Sequence, residues 1–182
     1  KLNRVRDCLT WHQLHELVTW SFTSPENAQL FGFSEQIELA NPIARQLSVM
    51  RQTIIPALLE AIRHNLHRSH KNLGFFEIGP IYRKSLQDLQ ESSIAGVRAG
   101  EVRPKSCHQD TRVVDYFDGL ELCYAVLQEL GVNHSSIKVA KFEGDEPAAC
   151  YLHPGIGAKL LVGKNLVGYV GELHPNVLKE LD

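Results

Sequence analysis

The chain has 182 residues, 43% of them hydrophobic, with 19 basic against 21 acidic residues and a net charge of −2. A chain of this length buries roughly 70% of its unfolded surface and needs no disulfide or metal to hold a core. The charge balance excludes a disordered chain and a nucleic-acid binder that works by bulk charge, and no run of roughly 18 apolar residues is present to span a membrane.

Asn3 to about Glu16 reads as a helix with Leu2, Val5 and Leu9 on one face. Leu17 to Phe22 is rich in β-branched and aromatic residues and reads as a strand. Ser24 caps a short helix with Pro25 at its first position and Gly32 at its stop. Gln36 to Leu39 suggests a second strand, ended by Asn41-Pro42. The clearest helix runs from about Ile54 to His70. Thr53 is its cap, Pro56 lies in its first turn, and Ile55, Leu58, Leu59, Ile62 and Leu66 form a one-sided stripe. Gly74 to Arg83 reads as a strand in which Pro80 marks a bulge or an edge. Ile94 to Arg98 is another strand, and residues 100–112 read as a mobile loop. Asp115 caps a helix to Leu130, with Phe117, Leu120, Cys123, Tyr124 and Leu127 on one side and Gly131 as the stop. Ile137 to Phe142 is a strand, Ala158 to Gly171 a hairpin turning at Gly163-Lys164-Asn165, and Pro175 opens a last helix to Leu181. This order predicts an α+β fold with a mainly antiparallel sheet flanked by helices.

The first residue is Lys1 and the one methionine is Met50, so the chain is expected to be a piece of a longer protein, with residues 1–182 forming a single domain. No signal-peptide pattern opens it. Cys8, Cys107, Cys123 and Cys150 form no C-x-x-C pair, and scattered thiols in a domain this size suit a reducing cytoplasm, where all four are expected to be free.

His64, His67 and His70 recur along one helix without a Cys, Asp or Glu beside them, so no metal site is expected there. Arg45, Arg51, Arg63, Arg68 and Lys71 face only Glu60 in the same stretch. The ordinary reading of such a run is a solvated helix face; the functional one is contact between Arg63, His64, His67, Arg68 and Lys71 and RNA phosphate or an acidic partner. No G-x-S-x-G elbow, P-loop or G-x-G-x-x-G is present.

Six stretches, in order, carry a resemblance. They are Leu39 to Ile43, Leu47 to Leu59, Asn65 to Arg68, Phe76 to Gly79, Val114 to Asp118 and Gly171 to Pro175. Together they resemble the β-subunit family of bacterial phenylalanine–tRNA ligases across nearly the whole chain, and in particular its catalytic-like module, which has the class II synthetase fold. The resemblance implies an architectural role. The α subunit performs aminoacylation within an (αβ)₂ heterotetramer that acts on tRNA in the cytoplasm. It further implies no catalytic residue, metal or cofactor in this stretch, with ATP and magnesium serving the assembled enzyme.

The class II motifs can be followed residue by residue. The first is a helix and strand that meet another subunit, which makes Leu2, Val5 and Leu9 the interface candidates; Gln13-Leu14 stands where the family usually has Gly-Phe. In the second, Tyr82-Arg83-Lys84-Ser85 keeps the Arg that grips the ATP phosphate and loses the Glu two residues on. In the third, Gly168 and Gly171 are present, but His174-Pro175 replaces the ATP-clamping Arg. Adenylate formation needs fixed cations against developing phosphate charge, so the ordinary reading of Arg83 is a solvated strand-end charge, and the functional one a vestigial phosphate contact. Two rivals are a working ATP site at Arg83 and a tRNA contact through the basic helix 54–71.

Overall fold

The computed structural model describes residues 1–84, 89–102, 110–144 and 146–181. Its helices are α1 (Leu2–Trp11), α2 (Pro25–Leu30), α3 (Ile55–Leu66), α4 (Tyr116–Leu130), α5 (Ala148–Tyr151) and α6 (Pro175–Leu181). Its strands are β1 (His15–Glu16), β2 (Phe22–Thr23), β3 (Val49–Met50), β4 (Leu73–Tyr82), β5 (Gln90–Ala99), β6 (Ile137–Ala140), β7 (Leu152–Val162) and β8 (Asn165–Leu173).

Three sheets form, in the orders β1-β4-β5, β2-β3 and β6-β7-β8, and every pairing except β1 with β4 is antiparallel. The alternation of side chains along β4 decides the layering. Leu73, Phe75 and Ile81 point to one face and pack with Ile54, Leu58 and Ile62 of α3 and its entry. Phe76 and Ile78 point to the other and meet Val5, Leu9 and Leu14 together with Leu122, Val126 and Leu130 of α4. The β4–β5 hairpin is therefore sandwiched between α3 and the α1–α4 pair. The adjacent side of α4 carries Leu120, Cys123 and Leu127 onto Ala158, Leu160 and Val170 of the β6-β7-β8 sheet. One helix thus couples two sheets.

The local signals explain most element ends. Ser24 Oγ accepts from the Asn27 N–H at the start of α2. Asp115 and Asp118 form a reciprocal capping box on α4, and Gly131 takes the left-handed conformation that closes it, φ 98°. Pro80 causes no bulge: the β4–β5 register is unbroken through it. Phe76 O and Tyr82 N bond away from β5, to Leu17 and Arg51. Pro80 has the same parity, so its missing N–H falls on that side and leaves the ladder intact.

Several expected boundaries shift. The first helix stops at Trp11, because Gln13 adopts φ 64°, Leu14 N–H reaches Leu9 O and Gln13 N–H reaches Thr10 O. This is a Schellman closure, completed by the Leu9–Leu14 apolar contact. Leu17 to Phe22 is no continuous strand: Leu17 N–H still bonds Phe76 O, but Val18 and Trp20 are 94% and 66% exposed, so their apolar character serves no ladder here. Gln36 to Leu39 contributes only the bridge Glu38–Val49 and flanking bonds. The long helix ends at Leu66 by a second Schellman closure with Ser69 at φ 67°. Thr53 caps it weakly, its Oγ1 accepting from Ile55 N–H at 3.4 Å. Phe117, expected on the packed side of α4, is exposed. The hairpin's first strand begins six residues early, at Leu152 rather than 158, preceded by the unforeseen α5. The predicted 100–112 loop lies largely outside the described residues, but its flanks pair through Glu101 and Val113.

The stripe of α3 is placed as expected, with Leu59 and Ile62 6% and 7% exposed. Leu59→Ala should destabilise by about 2–5 kcal/mol in urea unfolding, whereas Arg68→Ala, on the exposed turn, should change stability by under about 0.5 kcal/mol.

Candidate functional site

Arg83 leaves β4 at its end, its N–H donating to Leu89 O at 3.1 Å. The guanidinium lies 5.7 Å over the Phe33 ring. Its Nη2 donates to Gln52 O at 3.4 Å, and its Nη1 stands 3.9 Å from Glu91 Oε1. The buried Nε has no partner among the described residues, and neither does the buried Gln52 Oε1. The side chain is 39% exposed. Phe33, Gln52 and Glu91 are thus the neighbours of the Arg83 cation, through a ring contact, one long hydrogen bond and one long ion pair.

Beside it, β7 and β8 present a closed polar cluster. Lys159 Nζ lies 2.6 Å from Glu146 Oε1, and Tyr169 Oη donates to Glu146 Oε2 at 2.7 Å. The Glu143 N–H adds a third bond at 3.0 Å. Hydrogen bonds from Lys159 first, then Tyr169, hold the Glu146 carboxyl at about 2, while burial and this carboxylate push the Tyr169 hydroxyl up. Burial likewise raises Tyr151 to about 12, with Arg83 opposing. A carboxylate with both oxygens engaged and held ionised is neither a free base nor an open ligand. Because its folded pKa lies below its unfolded value, the cluster stabilises above the ordinary carboxylate range and loses that stabilisation as pH falls from about 4.5 toward about 2. Wild type should accordingly melt above Glu146→Gln at pH 6, and the gap should narrow in thermal scans as pH falls below about 4.5, closing only below about pH 2.

The charged residue that sequence reasoning misplaced is Arg51. Counted there with a solvated basic run, it is 3% exposed. Its Nη1 lies 2.8 Å from Glu77 Oε1, and its Nε donates to Pro80 O at 2.9 Å. Thr19 joins them: its Oγ1 donates to Glu77 Oε2 at 2.6 Å and accepts from Arg51 Nη1 at 3.0 Å. A Cβ on Gly79 would stand 2.5 Å from Arg51 Nη2, so glycine is required for the guanidinium to lie against β4. A second unforeseen pair is bidentate: Arg112 binds both Asp118 oxygens at 2.7 Å, and its guanidinium holds that carboxyl below the usual range.

The remaining candidates are scattered. Arg63, His64, His67, Arg68 and Lys71 are exposed at the end of α3 and beyond, on a surface separate from Arg83's contacts. Val5 and Leu9 are 0% and 3% exposed, which corrects their assignment to an interface: α4 and Phe76 already cover that face of α1. Leu2 is 42% exposed, and Trp11 at the other end of α1 and Val18 and Trp20 in the segment after it are also exposed. Cys8, Cys123 and Cys150 are free, Cys123 with its thiol raised to about 11 by burial; Cys107 lies outside the described residues. Among the described residues no three His, Cys, Asp or Glu side chains gather to hold a metal ion, and no helix is long and apolar enough to cross a membrane.

The sequence matches the family described as the phenylalanyl-tRNA synthetase beta chain CLM domain over residues 1–182. The chain belongs to that family. It is 36% identical to the phenylalanine–tRNA ligase beta subunit of Paramagnetospirillum magneticum over 98% of this chain and 22% of that protein. It is 34% identical to the beta subunit from the Wolbachia of Brugia malayi, over 92% of this chain and 20% of that protein. The chain thus spans about a fifth of the length of the relatives it matches. The fold is that of class II synthetases: a pyrrolysyl-tRNA synthetase from Desulfitobacterium hafniense superposes with a TM-score of 0.68 at 14% identity, over 98% of this chain and 59% of that one.

Within this CLM domain, the departures from the class II motifs acquire geometry. Gln13 takes the left-handed turn at the usual glycine position, so the helix-to-strand turn survives a change that costs roughly 1–2 kcal/mol in backbone conformation. His174 is engaged locally: its N–H donates to Tyr151 O at 2.8 Å and its Nδ1 accepts from Asn176 N–H at 3.1 Å.

Proposed function

We propose that this chain is the non-catalytic, catalytic-like module of a phenylalanine–tRNA ligase β subunit, working by architecture. It pairs with the α subunit in an (αβ)₂ cytoplasmic assembly and braces the site where that subunit aminoacylates tRNA. The observation that carries this reading is Arg83: the cation left from the second motif is held by Phe33, the Gln52 carbonyl and Glu91. His174 bonds backbone where a second cation would be needed. ATP and magnesium, on this reading, serve the assembled enzyme.

Pairing with α is supported by the first helix and its exit, where Trp11 is 86% exposed alongside Val18 and Trp20. Large exposed tryptophans are the residues that anchor protein interfaces. Coexpressed α subunit should copurify with the wild-type chain and fail to do so with Trp11→Glu/Trp20→Glu, whose circular dichroism should be unchanged. The chain alone should show no phenylalanine-dependent ATP–pyrophosphate exchange. Copurification that survives the double substitution would move the interface elsewhere, and robust exchange would overturn the architectural reading.

A further inference from the structure

Two buried side-chain atoms have no hydrogen-bond partner among the described residues, and their residues touch each other. The atoms are Gln52 Oε1 and Arg83 Nε, and Arg83 Nη2 donates to Gln52 O at 3.4 Å. Nearly every buried donor or acceptor in a native protein is paired with protein, water or ligand, because an unpaired one keeps the whole cost of losing water. Gln52 is 6% exposed. Its amide cannot be turned around: Nε2 donates to Glu35 O at 2.7 Å, and an oxygen placed there would face an oxygen. The missing partners are therefore fixed in kind. Gln52 lacks a donor and Arg83 lacks an acceptor.

The surroundings narrow the chemistry. Phe33 and Tyr151, each 9% exposed, belong to one core cluster, and the Arg83 guanidinium lies 5.7 Å over the Phe33 ring. Burial raises the Tyr151 hydroxyl and the Arg83 charge opposes that rise, so the phenol stands within the field of the cation. On the other side Glu91 Oε1 stays 3.9 Å from Nη1, and the Arg83 side chain is 39% exposed, which leaves a way in from solvent. A phosphate or carboxylate would satisfy Arg83 but carries no proton for Gln52 Oε1. An ammonium would satisfy Gln52 but meet the Arg83 charge. A carboxamide is neutral and presents a carbonyl oxygen and an N–H in one plane.

We propose that Gln52 and Arg83 form a binding site for a neutral carboxamide, whose carbonyl oxygen accepts from Arg83 Nε and whose N–H donates to Gln52 Oε1. The site takes no phosphate, which separates it from the ATP contact of the second class II motif. It goes beyond the architectural role and is measured on the chain alone, so a silent amide titration leaves α-subunit pairing untouched.

The test is nuclear magnetic resonance of the isotope-labelled chain titrated with acetamide. It follows the Arg83 Nε–H signal, assigned by its loss in Arg83→Lys, and the Gln52 side-chain amide signals. Both should shift saturably with a midpoint of about 1–10 mM, the range open to so small a ligand. Acetate and N,N-dimethylacetamide, which lack an N–H, should bind at least about tenfold more weakly, because they leave Gln52 Oε1 unpaired. Arg83→Lys keeps the charge without Nε, and Gln52→Glu sets a carboxylate against Arg83; each should weaken acetamide at least about tenfold while the rest of the spectrum stays folded. N-acetylglutamine methylamide separates the sources of the amide: binding about tenfold tighter than acetamide assigns it to a side chain of another protein, and similar binding to a free small molecule. The proposal is overturned if acetamide gives no saturable shift, if either analogue binds as well, or if folded Arg83→Lys binds as wild type. It is overturned too if the Nε–H keeps contact with one long-lived water at saturating acetamide, which would mean a buried water only, or if ATP displaces acetamide at lower concentration, which would restore a nucleotide site.

Discussion

Glu77→Ala should destabilise the chain by about 3–5 kcal/mol, since it strands the Arg51 guanidinium, 3% exposed, in the interior. The loss comes less from the missing attraction than from an uncompensated charge: Pro80 O and Thr19 Oγ1 remain as acceptors, and neither neutralises it. Arg51→Met/Glu77→Leu removes both charges with comparable volume and should cost less than Glu77→Ala alone, because replacing a buried ion pair by apolar groups is often near neutral. Urea midpoints for the two variants decide the matter. A single-variant cost below about 1 kcal/mol would mean that water reaches the pair. Gly79→Ala belongs to the same network, since its methyl would be driven against Arg51, and it should lower the midpoint without altering any charge.

Val5→Glu should unfold the chain. Val5 is 0% exposed and packs in the cluster of Leu9, Leu14 and Phe76 against α4. An ionised carboxylate there has no partner, and the penalty exceeds about 4–5 kcal/mol, a large part of the 5–15 kcal/mol that holds a typical domain together. Trp11→Glu, on the same helix but 86% exposed, should change stability by no more than about 0.5 kcal/mol. Circular dichroism and thermal melting of the pair separate the inner and outer faces of α1. A folded Val5→Glu protein that has lost its α subunit would restore Val5 to the interface.

Local chemistry was legible in the residues themselves. Ser24 and Asp115 cap because their side chains reach N–H groups two or three positions on, and Gly131 ends α4 because the turn needs a left-handed residue. The stripe on α3 and the alternation along β4 are periodicities that a folded core must respect. The same locality explains the misses. Gln13 closes α1 in a conformation usually left to glycine, so no residue type announced the stop. Val18 and Trp20 have strand-like composition, but composition cannot say whether a partner strand lies alongside.

By itself, the sequence determined the family, the α+β class and the cores of the main helices and strands, since all of these reside in short stretches and their order. Only the tertiary structure decided which apolar and charged residues are inside. Val5 and Leu9 looked like an uncovered face until α4, more than a hundred positions away, came to lie across them. Arg51 looked solvated until Thr19, 32 positions before it, and Glu77 closed around its guanidinium. Arg63 and Arg68, chemically identical to Arg51, are exposed and meet no carboxylate among the described residues. For Arg51 and Glu77, burial of charge is a property of the pair, and the two members lie in separate stretches of the sequence.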